Sequence, residues 1–208
     1  MKGPAFFSSL GPSLVQTQTD VKCHCRVFPS GGRAVKYFLV WASLMVGLST
    51  AWAQTSPPET ATGKIGNANL VIRYCAPSVR GRQIFGAGGQ VMGDATAPIW
   101  RAGANDATAF HTDADLTVGG LAVPKGDYTL YVNVKDPDAW ELVINKQTTQ
   151  WGTEYDSSKD LGRVKMEMKT PPALIEMLKY TIRSTGGDKG TIQLAWEKHI
   201  ASVGVTAK

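Results

Sequence analysis

The segment "GDYTLYVNV" alternates without a break: Tyr128, Leu130, Val132 and Val134 fall on one face, Thr129, Tyr131 and Asn133 on the other. A period of two is the mark of a pleated strand, whose successive side chains point to opposite sides. The pattern recurs in "NLVIRYC", "RGRQIF", "ATAFHT", "LTVGGLAVP", "WELVINK", "EMLKYTIRS", "TIQLAWE" and "HIASVGV". "RVKMEMK" places Val164, Met166 and Met168 on its buried face, and "TGGDKG" reads as a Gly-rich hairpin turn. No stretch keeps a 3.6-residue apolar period over an ordinary helix length, and only "ALIEMLKY" is ambiguous. About ten short strands punctuated by Gly, Pro and Asp predict an all-β fold, an antiparallel, jelly-roll-like β-sandwich filling residues 67–208 as a single domain.

The chain ahead of the strands has a different composition. Arg33 and Lys36 precede the uncharged run "YFLVWASLMVGLSTAWA" from Tyr37 to Ala53, which ends in Ala51-Trp52-Ala53 before the polar "QTSPPETATG". A basic flank, an apolar core and an Ala-x-Ala exit are the parts of a secretory signal peptide. Cleavage near Ala53 and a periplasmic or secreted protein are expected, the alternative being an uncleaved anchor. Val35 would serve as an initiator if its codon were GTG. Residues 1–34 are therefore read as a mis-annotated extension, 35–53 as the signal peptide and 54–66 as a linker rich in Thr, Pro and Gly. Peptides from 1–34 in the native host's mass spectra would overturn the extension. Cys23-His24-Cys25 in that region has metal-ligand letters but no second pair to complete four ligands.

Without residues 1–53, which hold five Lys/Arg and one Asp, the 22 basic and 17 acidic residues fall to 17 and 16. No clustered Lys/Arg with interleaved aromatics remains, so a nucleic-acid partner is not expected. Membrane contact is expected only through the signal segment. Cys75 alone follows the cleavage point, in strand-like sequence, and reads as a buried inert thiol.

Three stretches offer chemistry. "IWRAGANDATAF" carries Trp100, Arg101, Asn105 and Asp106: Arg101 has a planar fork with Asp106 as its expected partner, Asn105 tolerates a left-handed backbone, and Gly103 permits a sharp turn. The same residues offer a grip for an anionic or hydroxylated ligand beside Trp100. His111, Asp113 and Asp115 alternate onto one strand face, a set able to hold a divalent metal or simply to meet water; no metal and no cofactor is favoured. "NKQTTQWGTEYDSSKD" is long for a hairpin loop, and its Gln150, Trp151, Glu154 and Tyr155 are a mix that sugar and peptide sites use. "FGAGGQVMG" does not complete a phosphate-loop pattern and reads as a loop.

Several of these motifs, in order, resemble a bacterial family of exported proteins known as domain of unknown function twenty-nine eleven. They are "APSVRGRQIFG", "IWRAGANDATAF", "LTVGGLAVPKGDYTLYV", "WELVINKQTTQWGTEYDSSKDLGRVKM" and "IQLAWEKH". The family's Trp-Arg-Thr-Gly-Ala-Asn-Glu-Ala-Thr is matched by Trp100, Arg101, Gly103, Ala104, Asn105, Ala107 and Thr108, with Ala102 for the Thr and Asp106 for the Glu. Pro77, Ser78, Gly81 and Arg82 match a Pro-Ser-x-x-Gly-Arg element, and Trp151-Gly152 a Trp-Gly element. A Pro-Tyr-Gly stretch usual before the Trp-Arg motif is replaced here by "VMGDATAPI". The resemblance implies an all-β fold and export, and it brings no activity. The expected function is non-catalytic binding of a small molecule, glycan or envelope protein, with Arg82, Trp100, Arg101, Asn105, Asp106 and Trp151 as candidate ligand residues. The alternatives are a hydrolase pairing His111 with Asp106, Asp113 or Glu154, and a structural envelope component.

Overall fold

Nearly every alternating segment forms a strand. The computed structural model describes residues 56–208, which fold into thirteen strands in two antiparallel sheets. The segments expected to be an extension and a signal peptide, with Cys23-His24-Cys25, lie outside the described residues. The first sheet runs β1 (Pro58–Ile65), β2 (Ala68–Cys75), β4 (Thr108–Thr112), β7 (Gly126–Asn133), β8 (Glu141–Asn145), β9 (Asp160–Lys165), and β3 (Ile99–Trp100) also pairs with β7. The second runs β11 (Ile175–Gly186), β12 (Lys189–Glu197), β13 (His199–Ala207), β5 (Leu116–Val118), β6 (Leu121–Val123), with β10 (Glu167–Lys169) against β13.

The sheets face each other as a sandwich. Leu70, Ile72, Phe110, Leu130, Val132, Leu142 and Ile144 of the first meet Leu116, Val118, Ile192, Leu194, Val203 and Val205 of the second in one buried cluster. Those are the inward positions that the alternation assigns. Lys179, Thr181, Thr191, Gln193, Ser202 and Thr206 at the outward positions of β11 to β13 leave that face polar.

The strand count exceeds the expected ten for three physical reasons. "LTVGGLAVP" is two strands, β5 and β6, folded back at Gly119 (φ 54°) and Gly120 (φ 93°), a backbone that glycine adopts at low cost. "RVKMEMK" is split at Met166, where the chain leaves the first sheet as β9 and enters the second as β10. Finally, residues 58–65 are not linker but β1, paired with β2 from Pro58↔Cys75 to Ile65↔Ala68. Their Thr, Ala and Gly content disguised the strand. The small residues are there because β11 packs closely on it: a Cβ on Gly63 would stand 2.7 Å from the Ile182 Cβ. "RGRQIF", expected as a strand, is irregular, and its place in the count is taken by the unexpected β3; Ile84 and Phe85 are buried, but they are held by turn bonds such as Val91 N–H to the Ile84 carbonyl.

Candidate functional site

β3 and β4 are two parts of one strand track along β7. Trp100 pairs with Val132 and Thr108 with Leu130, so the seven residues Arg101–Ala107 leave and rejoin the sheet opposite a single residue, Tyr131. Such an excursion strips the backbone of ladder partners, and each polar group must find another. The Ala102 carbonyl accepts from Thr108 Oγ1 and Tyr180 Oη, both at 3.0 Å. Trp100 Nε1 donates to the Gly103 carbonyl (3.1 Å), and the Ala104 N–H donates to Cys75 (3.1 Å). Burial pushes the Tyr180 hydroxyl well above the ordinary tyrosine range, so it stays a donor here.

Left-handed residues shape the loop: Ala102 at φ 53° and Asn105 at φ 60°. Asn105 was expected in this conformation; Ala102, standing where the family pattern has Thr, was not. Gly103 serves space rather than φ, since a Cβ there would meet Thr108 Oγ1 at 2.8 Å.

Arg101 binds three segments together. Nη2 meets Asp94 Oδ2 at 2.7 Å, and Nη1 donates to the Asn105 carbonyl at 3.2 Å. Its aliphatic stem lies under Gly152, where any Cβ would fall on the Arg101 Cδ and within 2.6 Å of the Asn105 carbonyl. The side chain is only 11% exposed. The expected partner, Asp106, is not the one used. Its backbone is bridged to Trp151 on the far side of the loop, whereas Asp94 is delivered by the 3-10 turn Val91–Gly93. No local spacing rule points from Arg101 to Asp94.

One cleft, of about 260 Å3, opens beside this loop. It collects four sequence candidates, Arg82, Trp100, Arg101 and Asn105, together with Arg80, Gln90 and Asp94, which sequence reasoning passed over. Arg80 (φ 50°) and Gly81 (φ 67°) form the left-handed pair of a tight turn closed by the Arg82 N–H to the Val79 carbonyl (3.0 Å), with Glu176 Oε1 accepting the Arg80 N–H. Arg82 folds its Nε onto the Val79 carbonyl and Nη2 onto the Ser78 carbonyl. The Pro-Ser-x-x-Gly-Arg element thus builds the turn that carries two guanidiniums to the cleft. Trp100, expected as a stacking surface, is 2% exposed and stacks on Trp196 at 5.5 Å, with Phe85 edge-on to both. It is core, and only its edge reaches the cleft.

Trp151 is not part of the cleft lining. Trp151 is 43% exposed. Its loop covers the outer face of the first sheet, where Ile99, Tyr131 and Val143 form a second small core closed by Tyr155. The alternation predicted that face, but not its covering. Gln150 Nε2 donates to Tyr131 Oη (3.0 Å), and Tyr155 Oη donates to Asp160 Oδ2 (2.7 Å) while accepting from Arg163 (2.8 Å). Burial, then the Asp160 carboxylate, pushes the Tyr155 hydroxyl up to about 12. Asn145, fully buried, donates to Asp160 and to the Asp156 carbonyl.

His111, Asp113 and Asp115 each bond to a different partner. His111 meets Asp127 at 2.8 Å, Asp113 binds Asn69 through both its oxygens, and Asp115 accepts the Lys125 N–H. The Asn69 hydrogen bonds hold the Asp113 carboxyl below its usual range. Asp113 and Asp115 follow the end of β4, so the alternation that would align them with His111 has already stopped. Among the described residues, no three His, Cys, Asp or Glu gather as a metal site.

No curated protein and no solved structure matches the chain. A family model does match, over residues 56–205, and its span takes in β1 to β12, most of β13 and the whole cleft lining. The chain belongs to the family described as "Protein of unknown function (DUF2911)".

Proposed function

We propose that this domain is an exported, non-catalytic module that binds a small anionic molecule in the cleft beside the Arg101 loop. One observation carries the reading: three arginines, Arg80, Arg82 and Arg101, line the same cleft as a single acidic residue, Asp94. Guanidinium presents a planar fork of donors that matches carboxylate and phosphate. Arg82 spends only Nε and one Nη2 N–H on its own turn, and keeps Nη1 for a ligand. The cleft volume sits just under the roughly 300–1,000 Å3 of drug-sized pockets, which suits a metabolite-sized ligand. His111 and its neighbouring carboxylates lie outside the lining, so the residues that chemistry would draw on are not the ones at the cleft.

Calorimetric titration of the full chain with acetate, succinate and phosphate tests the proposal. At least one anion should bind, and Arg82→Ala should weaken it tenfold or more while melting close to the parent. Unaltered binding by Arg82→Ala, or binding of no carboxylate or phosphate compound of any kind, would overturn it. Export belongs to the same reading, and N-terminal sequencing of protein from the native host should begin near Gln54.

A further inference from the structure

Asn105 is held by its backbone and leaves its side chain over. Its carbonyl accepts from Arg101 Nη1 at 3.2 Å and from the Gly152 N–H at 3.0 Å, and its φ of 60° lies where asparagine and glycine are tolerated. The side-chain amide bonds to no described residue, although Asn105 lines the cleft. The Gln90 amide and the Ser78 hydroxyl, in the same lining, make no such bond either.

These three groups differ in kind from the arginines. A guanidinium only donates, whereas an amide and a hydroxyl both donate and accept. A bare carboxylate offers acceptors alone and leaves the amide oxygens of Asn105 and Gln90 to water. A ligand hydroxyl supplies both halves. An aromatic ligand gains little, since the Trp100 and Trp196 faces are spent on each other. Resting on the anion-binding reading, we infer that the ligand is a hydroxylated anion of the sugar-acid class, its charged group held at Arg82, its hydroxyls at Asn105, Gln90 and Ser78.

The test compares two acids of similar size and equal charge, glucuronate and cyclohexanecarboxylate, by calorimetry on the full chain. Glucuronate should bind at least tenfold more tightly. Asn105→Gly keeps the left-handed backbone and the carbonyl and removes only the amide. It should melt like the parent, bind cyclohexanecarboxylate unchanged, and lose about threefold to tenfold in glucuronate affinity. Methyl β-glucuronide in a third arm separates the sources: a chain-end site retains it, a free-acid site rejects it. Equal affinity for glucuronate and cyclohexanecarboxylate, or an unaltered glucuronate preference in Asn105→Gly, overturns the hydroxyl reading alone. So does binding of succinate or phosphate with neither six-membered acid. Binding of no anion at all overturns the anion reading beneath it.

Discussion

Two polar stretches compete for attention in this chain, the Arg101–Ala107 excursion and the segment from Asn145 to Asp160. Both are crowded with side chains that bind ligands elsewhere, and both touch the first sheet. They differ in how much hydrogen-bonding capacity the fold consumes. In the second stretch Gln147 takes the Asp156 N–H and reaches the Glu154 carbonyl, Asp156 caps Ser158, and Tyr155, Asp160 and Arg163 close on one another. Its polarity is the fastening of a lid over Tyr131 and Val143. In the first stretch Arg101 is committed in the same way, but Asn105 retains an amide next to a cleft with two further arginines. Polar density alone does not mark a site; capacity left over beside a cavity does.

The contrast can be broken most sharply at Arg101. Arg101→Ala strands the Asp94 carboxylate and removes the support under Gly152. Because Asp94 is about a third exposed, the cost should sit at the lower end for a buried pair, about 3 kcal/mol. Thermal melting should show a drop on the order of 10 °C; a drop of one or two degrees would mean that Arg101 is not a fastener. Gly152→Ala comes next, at about 1–3 kcal/mol, because the new methyl overlaps the Arg101 stem. The two changes should be strongly non-additive. Combined with Arg101→Ala, Gly152→Ala should cost less than it does alone, the remainder coming from its methyl against the Asn105 carbonyl, and full additivity in a double-mutant cycle would deny the contact.

A smaller effect sharpens the other side. An unfolded tyrosine ionises near 10, whereas Tyr155 in the fold holds its proton to about 12. The folded state therefore binds more protons between pH 10 and 12. The stability from this group is complete below pH 10 and is lost as pH rises through that window. Tyr155→Phe should show a shallower fall in melting temperature over the same range. Some slope should persist, since burial also raises Tyr74, Tyr131 and Tyr180. The smallest effect is expected at Trp151: as an exposed ring on the lid, its replacement by Ala should change stability by no more than about 0.5 kcal/mol. A larger loss would show that the ring itself holds the lid.

Period-two alternation was enough to expose the sandwich, because one buried face leaves a direct imprint on residue order. β1 escaped it. A strand made of Thr, Ala and Gly carries little apolar signal, and the reason for those residues, Ile182 of β11 pressed against Gly63, sits 119 positions away. The site was legible in part. Arg101 and Asn105 stood out by residue type and Arg82 through the family resemblance, and the three line one cleft. Trp100 misled, since a tryptophan beside polar residues reads equally as platform or core. Asp94 and Arg80 left no signal, because one depends on a 3-10 turn and the other on a left-handed turn that Arg rarely occupies.

β13 also has a consequence in time. It is the seam of the second sheet, with β12 along one edge and β10 and β5 sharing the other. The β5–β6 hairpin reaches that sheet only through pairings such as Val118↔Val205, between residues distant along the chain. Closing a loop of that length costs entropy before any contact repays it. The second sheet thus stays in separate pieces until residues 199–207 arrive. Folding of the domain should be slow, in the millisecond-to-second range of all-β topologies, with the assembly of β13 as its late, cooperative step.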